Sequence, residues 1–207
     1  MKQKLDIDNW NRKEHFLFFN QMEEPFFGIT TPIDCTRAYQ KANELGISFF
    51  TYYLHKTLVA VNSIENFRYR IKNNEVYIFD RIDASATILR DDKTFGFSLI
   101  EFNEDVHEFA TITLKEIERI QTNSGLFTRD YPENLIHFSA LPWVNFTSFS
   151  HARSFTWSDS CPKISFGKMM EENGKKTMSM SVHVHHGLID GYHVGEFVAL
   201  FEKLMNN

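Results

Sequence analysis

Near the end of the chain, His185-His186-Gly187-Leu188-Ile189-Asp190-Gly191 places two imidazoles just ahead of a carboxylate. A neutral imidazole is the usual general base near neutral pH, provided its tautomer and rotamer are fixed and a nucleophile lies within reach. His185 and His186 are adjacent, so on an extended chain they point to opposite faces and only one of them can serve a given cleft. Asp190 could cap free N–H groups, accept a cation, or both. Gly187 and Gly191 permit tight backbone turns on either side. His183 and His185 share one strand face, a spacing some zinc sites use, with His193 or His137 as the further ligand required. No CxxC, HExxH or aspartate-rich loop supports that reading, and no metal is expected.

The elements around these residues give them a setting. Met178, Met180, Val182 and Val184 alternate with Ser179, Ser181, His183 and His185, the period of a strand with one apolar face. Val194, Phe197, Val198, Phe201, Leu204 and Met205 fall on one helical face. His186 therefore sits just past a strand, and Asp190 at the start of a helix. Asn173-Gly174 predicts a hairpin between strands 163–170 and 177–185, and Asn73-Asn74 another between 68–71 and 75–79. A strand over 26–33 leads to a helix capped by Asp34 and stopped by Gly46. The run 49–63 is apolar on nearly every face and reads as a buried helix. Residues 85–90 and 94–102 flank a turn at 91–93, and 104–121 is amphipathic. Strands and helices mix without strict alternation, which predicts an α/β sandwich with a mixed sheet.

Composition narrows the function classes. The chain has 207 residues, 43% of them hydrophobic, and a net charge of −5 with no long basic run. That argues against nucleic acid as a partner and gives no reason to expect an anionic membrane. The two cysteines, Cys35 and Cys161, lie far apart and read as free thiols. No signal peptide and no membrane-length apolar run is apparent, so a cytoplasmic protein is expected. Most of the 21 phenylalanines must fill core, leaving some for a pocket or a subunit interface.

The stretch His185-His186-x-x-x-Asp190-Gly191 resembles the signature of the chloramphenicol acetyltransferases. Dihydrolipoamide acyltransferase cores, plant acyltransferases and peptide-synthetase condensation domains share it more broadly. Two further segments resemble the chloramphenicol enzymes specifically: Trp10-Asn11-Arg12-Lys13-Glu14-His15-Phe16, and Leu141-Pro142-Trp143-Val144-Asn145-Phe146-Thr147-Ser148-Phe149. Their order and spacing fit over nearly the whole chain. The resemblance implies a single domain over residues 1–207, a two-layer sandwich with a mixed β-sheet, and acetyl transfer from acetyl-CoA to a chloramphenicol hydroxyl, giving antibiotic resistance. It implies His186 as general base, an Asp190–Arg12 pair holding the site, Ser148 as oxyanion donor and Ser165 holding a water. Phe18, Phe19, Phe27 and Phe95 would line the acceptor pocket. The implied assembly is a homotrimer with active sites at subunit interfaces.

This sequence departs from the family pattern at several positions. Phe19 stands in place of a tyrosine, Met169 where an aromatic residue often meets CoA, and His183 where glutamine is usual. Pro25-Phe26 replaces small or polar residues. These changes leave the base, the serine and the ion pair untouched but bear on the acceptor. The rival readings are a same-fold acetyltransferase for another hydroxyl or amine, and a catalytically silent ligand-binding trimer.

Overall fold

A computed structural model describes residues 1–156 and 159–207 of the chain. In chain order the elements are β1 (Lys2–Lys4), α1 (Lys13–Phe19), β2 (Phe26–Asp34), α2 (Thr36–Glu44), α3 (Phe49–Ser63), β3 (Tyr69–Lys72), β4 (Glu75–Phe79), β5 (Asp83–Leu89) and β6 (Phe95–Phe97). There follow α4 (Val106–Thr122), β7 (Leu135–Ala140), β8 (Lys163–Phe166), β9 (Met170–Glu172), β10 (Lys175–His185) and α5 (Gly191–Met205). The main sheet runs β2-β10-β8-β7-β5-β6, with β9 also on β10. It is mixed: β5–β7 and β7–β8 are parallel, and its other pairs are antiparallel. A smaller sheet, β1-β4-β3, stands apart.

Long β10 organises the fold. Met178, Met180, Val182 and Val184 turn one face into the core, while Ser181 and His185 are buried on the other. The helical layer centres on α3, which packs against α2, α4 and α5 and buries residues around most of its circumference. Segment 144–151 lies on the polar face of the sheet: Ser179 Oγ donates to the Phe146 carbonyl, and the His151 ring meets that of His183 edge-on at 5.0 Å.

Both expected Asn turns form. Asn73 and Asn74 take φ of 52° and 59°, as do Asn173 and Gly174 at 51° and 78°, the left-handed pair that a two-residue hairpin demands. Two strands come out shorter than their patterns predict. After β6 the Ser98 N–H still donates to the Ala86 carbonyl (2.9 Å), but the Ala86 N–H is taken by Ser98 Oγ (3.0 Å) in place of a backbone carbonyl, and Ile100 then returns to bridge Ala84. The predicted strand 163–170 breaks into β8 and β9 because the Lys168 N–H donates to the Val144 carbonyl (2.8 Å). Gly167 permits that approach, since a Cβ there would stand 3.0 Å from the same carbonyl oxygen.

Candidate active site

The loop between β10 and α5 carries the histidine pair. His185 ends the strand pointing inward, and its Nδ1 accepts the Gly187 N–H at 3.1 Å. His186 points out: its N–H donates to the Pro25 carbonyl (2.8 Å), and its ring stacks on Phe19 at 3.9 Å between centroids, tilted only 4°. Phe27 packs on the same imidazole at 4.6 Å. Two aromatic neighbours therefore fix the His186 rotamer. Its Nδ1 is buried and lies 3.4 Å from Asp190 Oδ1, without a hydrogen bond among the described residues. Nε2 is thus the nitrogen open to an incoming group.

Arg12 holds this loop. Its guanidinium grips both Asp190 oxygens, through Nη1 to Oδ2 and through Nη2 to Oδ1 (2.8 Å). Nη2 also donates to the His186 carbonyl at 3.2 Å. The Arg12 side chain is 10% exposed and that of Asp190 29%. Arg12 holds the Asp190 carboxyl below the usual carboxylate range, against the opposing cost of partial burial. Asp190 starts α5, and its N–H donates to His193 Nδ1 (3.0 Å), so His193 fixes the turn from behind.

The remaining expected site residues fall elsewhere in the chain. Ser148 is exposed on the segment that crosses the polar sheet face. Ser165, on β8, is fully buried, with Oγ 3.4 Å from His151 Nε2. Phe95 is half-exposed on β6 and lines a cavity of about 500 Å³ with Phe97, Phe127, His137 and Lys163. Phe18 is exposed on α1 and meets Phe19 edge-on at 5.1 Å. One chain therefore gathers His186, Asp190, Arg12, Phe19 and Phe27. No hydrogen bond or ring contact among the described residues links that cluster to Ser148, Ser165 or Phe95. Sequence reasoning missed His151, whose imidazole burial pushes down to about 4 and which touches Ser165. It also missed Arg153 and Asp159, which lie in a segment without periodicity. Among the described residues, no group of three or more His, Cys, Asp or Glu could share a metal ion, and no helix is long and apolar enough to cross a membrane.

The buried histidine has a consequence for stability. Burial, aided by the Arg153 charge, pushes His185 down to about 4. The unfolded chain takes up that proton near pH ~6.5, so the native state loses stability as pH falls from about 6.5 toward 4. In His185→Asn, the amide oxygen can replace Nδ1 as acceptor for Gly187. Its melting temperature should fall less steeply than wild type across that window; parallel curves would assign the acid sensitivity elsewhere.

A mixed sheet with one helical layer defines the class: the fold is that of the CoA-dependent acyltransferases. Azotobacter vinelandii dihydrolipoamide acetyltransferase shares this fold at a TM-score of 0.66 and 10% identity, over 94% of this chain and 86% of that one. A solved chloramphenicol acetyltransferase matches at a TM-score of 0.92 with 32% identity, covering 99% of this chain and all (100%) of the other. Chloramphenicol acetyltransferase 3 of Escherichia coli is 31% identical over 207 residues, 99% of this chain and 97% of the relative. A family model described as chloramphenicol acetyltransferase matches residues 2–202. The chain belongs to the chloramphenicol acetyltransferase family and is an enzyme of the acyltransferase class.

Proposed function

We propose that this enzyme transfers the acetyl group of acetyl-CoA directly to a hydroxyl of a small acceptor, with His186 as the general base. The observation that carries the reading is the His186 ring itself: clamped between Phe19 and Phe27, with Nδ1 turned to the Asp190–Arg12 pair and Nε2 open. Nε2 takes the acceptor's proton as its oxygen attacks the thioester carbonyl. The tetrahedral intermediate then collapses, the C–S bond breaks, and the imidazolium returns the proton to the departing CoA sulfur. Ser148 donates to the oxyanion, and Ser165 holds a water beside it. Phe18, Phe19, Phe27 and Phe95 serve the acceptor pocket. No metal is required.

The separation of the His186 cluster from Ser148, Ser165 and Phe95 within one chain supports a homotrimer, in which one subunit brings the base to the serines of its neighbour. The enzyme works in the cytoplasm, on two small-molecule substrates, without nucleic acid or membrane. The relatives' names make chloramphenicol the first acceptor to try, with resistance as the consequence.

Free-thiol release from acetyl-CoA, with and without chloramphenicol, tests the reading. Acceptor-dependent release supports it; bound acetyl-CoA with no release to any hydroxyl compound points to a silent binding protein. Ser148→Ala should lower kcat by about 10²–10³-fold with little change in acceptor KM, as expected for a donor that acts on the transition state. An unchanged kcat would remove Ser148 from the oxyanion site.

A further inference from the structure

The cavity that contains Phe95 has two unlike ends. Phe95, Phe97, Phe127 and Tyr131 line one end, and His137, His151, Arg153, Asp159 and Lys163 the other. Lys163 is nearly buried and saturated: its Nζ donates to Asp159 Oδ2 (2.6 Å), His137 Nδ1 (3.3 Å) and the Cys161 carbonyl (3.3 Å). Asp159 is also engaged, its Oδ1 taking the Cys161 N–H at 2.9 Å. Arg153 differs. Its side chain is 9% exposed, with the guanidinium 3.5 Å above the Phe26 ring and Nη1 held by Glu24. Its Nε is buried with no hydrogen-bond partner among the described residues, 3.8 Å from the nearest Asp159 oxygen. Two cations, Arg153 and Lys163, thus meet two carboxylates, Glu24 and Asp159, and one buried donor, Arg153 Nε, is left unspent.

Chloramphenicol is neutral and brings no anion to such a donor. A buried guanidinium N–H left unpaired is costly, and a ligand carboxylate removes that cost through a charge-assisted bond. We propose that the preferred acceptor of this enzyme is an aromatic hydroxy acid, its ring lodged among Phe95, Phe97 and Phe127 and its carboxylate received by Arg153. The fate of its hydroxyl rests on the acyl-transfer reading above: the acceptor C–O ester bond forms, the thioester C–S bond breaks, and the proton passes through His186 to CoA. Recognition of the carboxylate does not depend on that chemistry.

The test uses matched acids and amides that differ only in charge: tropate against its amide, and 4-(hydroxymethyl)benzoate against 4-(hydroxymethyl)benzamide. Binding is read by calorimetry on the wild-type enzyme, and turnover by thiol release from acetyl-CoA. Each acid should bind at least tenfold more tightly than its amide. Arg153→Gln should collapse that ratio toward one, and Arg153→Lys should restore part of it. The ratio within each variant cancels any general loss of folded protein. An acid preference in binding without turnover of any acceptor keeps the aromatic-acid site at Arg153 and removes acyl transfer. Turnover of chloramphenicol and the amides as good as that of the acids keeps acyl transfer and overturns this inference. Equal binding of acid and amide, no binding of either at millimolar concentration, or an acid preference that survives Arg153→Gln would also overturn it.

Discussion

His186→Ala is expected to lower turnover by about 10²–10⁴-fold, the usual contribution of a positioned general base, while costing little stability. The His186 ring is about one-third exposed, and its largest contacts are the stack on Phe19 and the tilted contact with Phe27. Losing them removes about 1 kcal/mol of aromatic contact, roughly 2–4 °C in a chain of this size. Thiol release and a thermal melt measured on the same preparation check both halves. Full turnover in the variant removes His186 as the base, whereas a collapse of the melting temperature would make its role structural. The same variant reports on assembly. Co-refolded in equal amounts with Ser148→Ala, it should regain activity at about a quarter of the interfaces if base and serine come from neighbouring subunits. A site completed within one chain would regain none.

Asp190→Asn is the second large effect, and it falls on stability and rate together. The amide keeps the shape but leaves the nearly buried Arg12 guanidinium without its counter-charge. Breaking a fully buried pair from one side costs about 3–5 kcal/mol; with Asp190 29% exposed, about 2–3 kcal/mol is expected here. Turnover should fall as well, because Arg12 also holds the His186 carbonyl and a displaced guanidinium would shift the loop that carries the imidazole. The pH dependence separates this pair from other causes. The Asp190 pKa is depressed in the folded state, so its contribution is fully present above the unfolded value near pH ~3.9 and is lost as pH falls through the folded one. Asp190→Asn should lack that part of acid unfolding. An unchanged melting temperature at neutral pH would show that the pair does not brace the loop.

Local signals in the sequence identify a large share of the fold. The period-two run of β10, the helical face of α5 and the two Asn turns are all decided by neighbours in the chain, and they form where their patterns put them. The misses come from distant partners. Nothing near Ala86 announces that the Ser98 hydroxyl will take its N–H, and nothing near Lys168 announces the Val144 carbonyl. At three residues, β1 is too short to show a period. The site divides in the same way. The histidine pair is visible because it is contiguous, and its opposite orientations follow from strand geometry. Arg12 is separated from Asp190 by 178 positions and can be paired with it in sequence only through the family resemblance. The stack of Phe19 on His186 and the unspent donor of Arg153 required the fold.

The Arg12–Asp190 clamp also orders events in time. Arg12 is incorporated 178 residues before its partner, a delay of roughly 9–36 s at typical translation speeds. Strand β2 waits nearly as long, since its one neighbour in the sheet is β10. A nascent chain therefore carries an unpaired strand edge and an uncompensated guanidinium until its last tenth is made. Closing the sheet and assembling the His186 loop then become one event, and a chain that ends before Asp190 lacks the whole clamp.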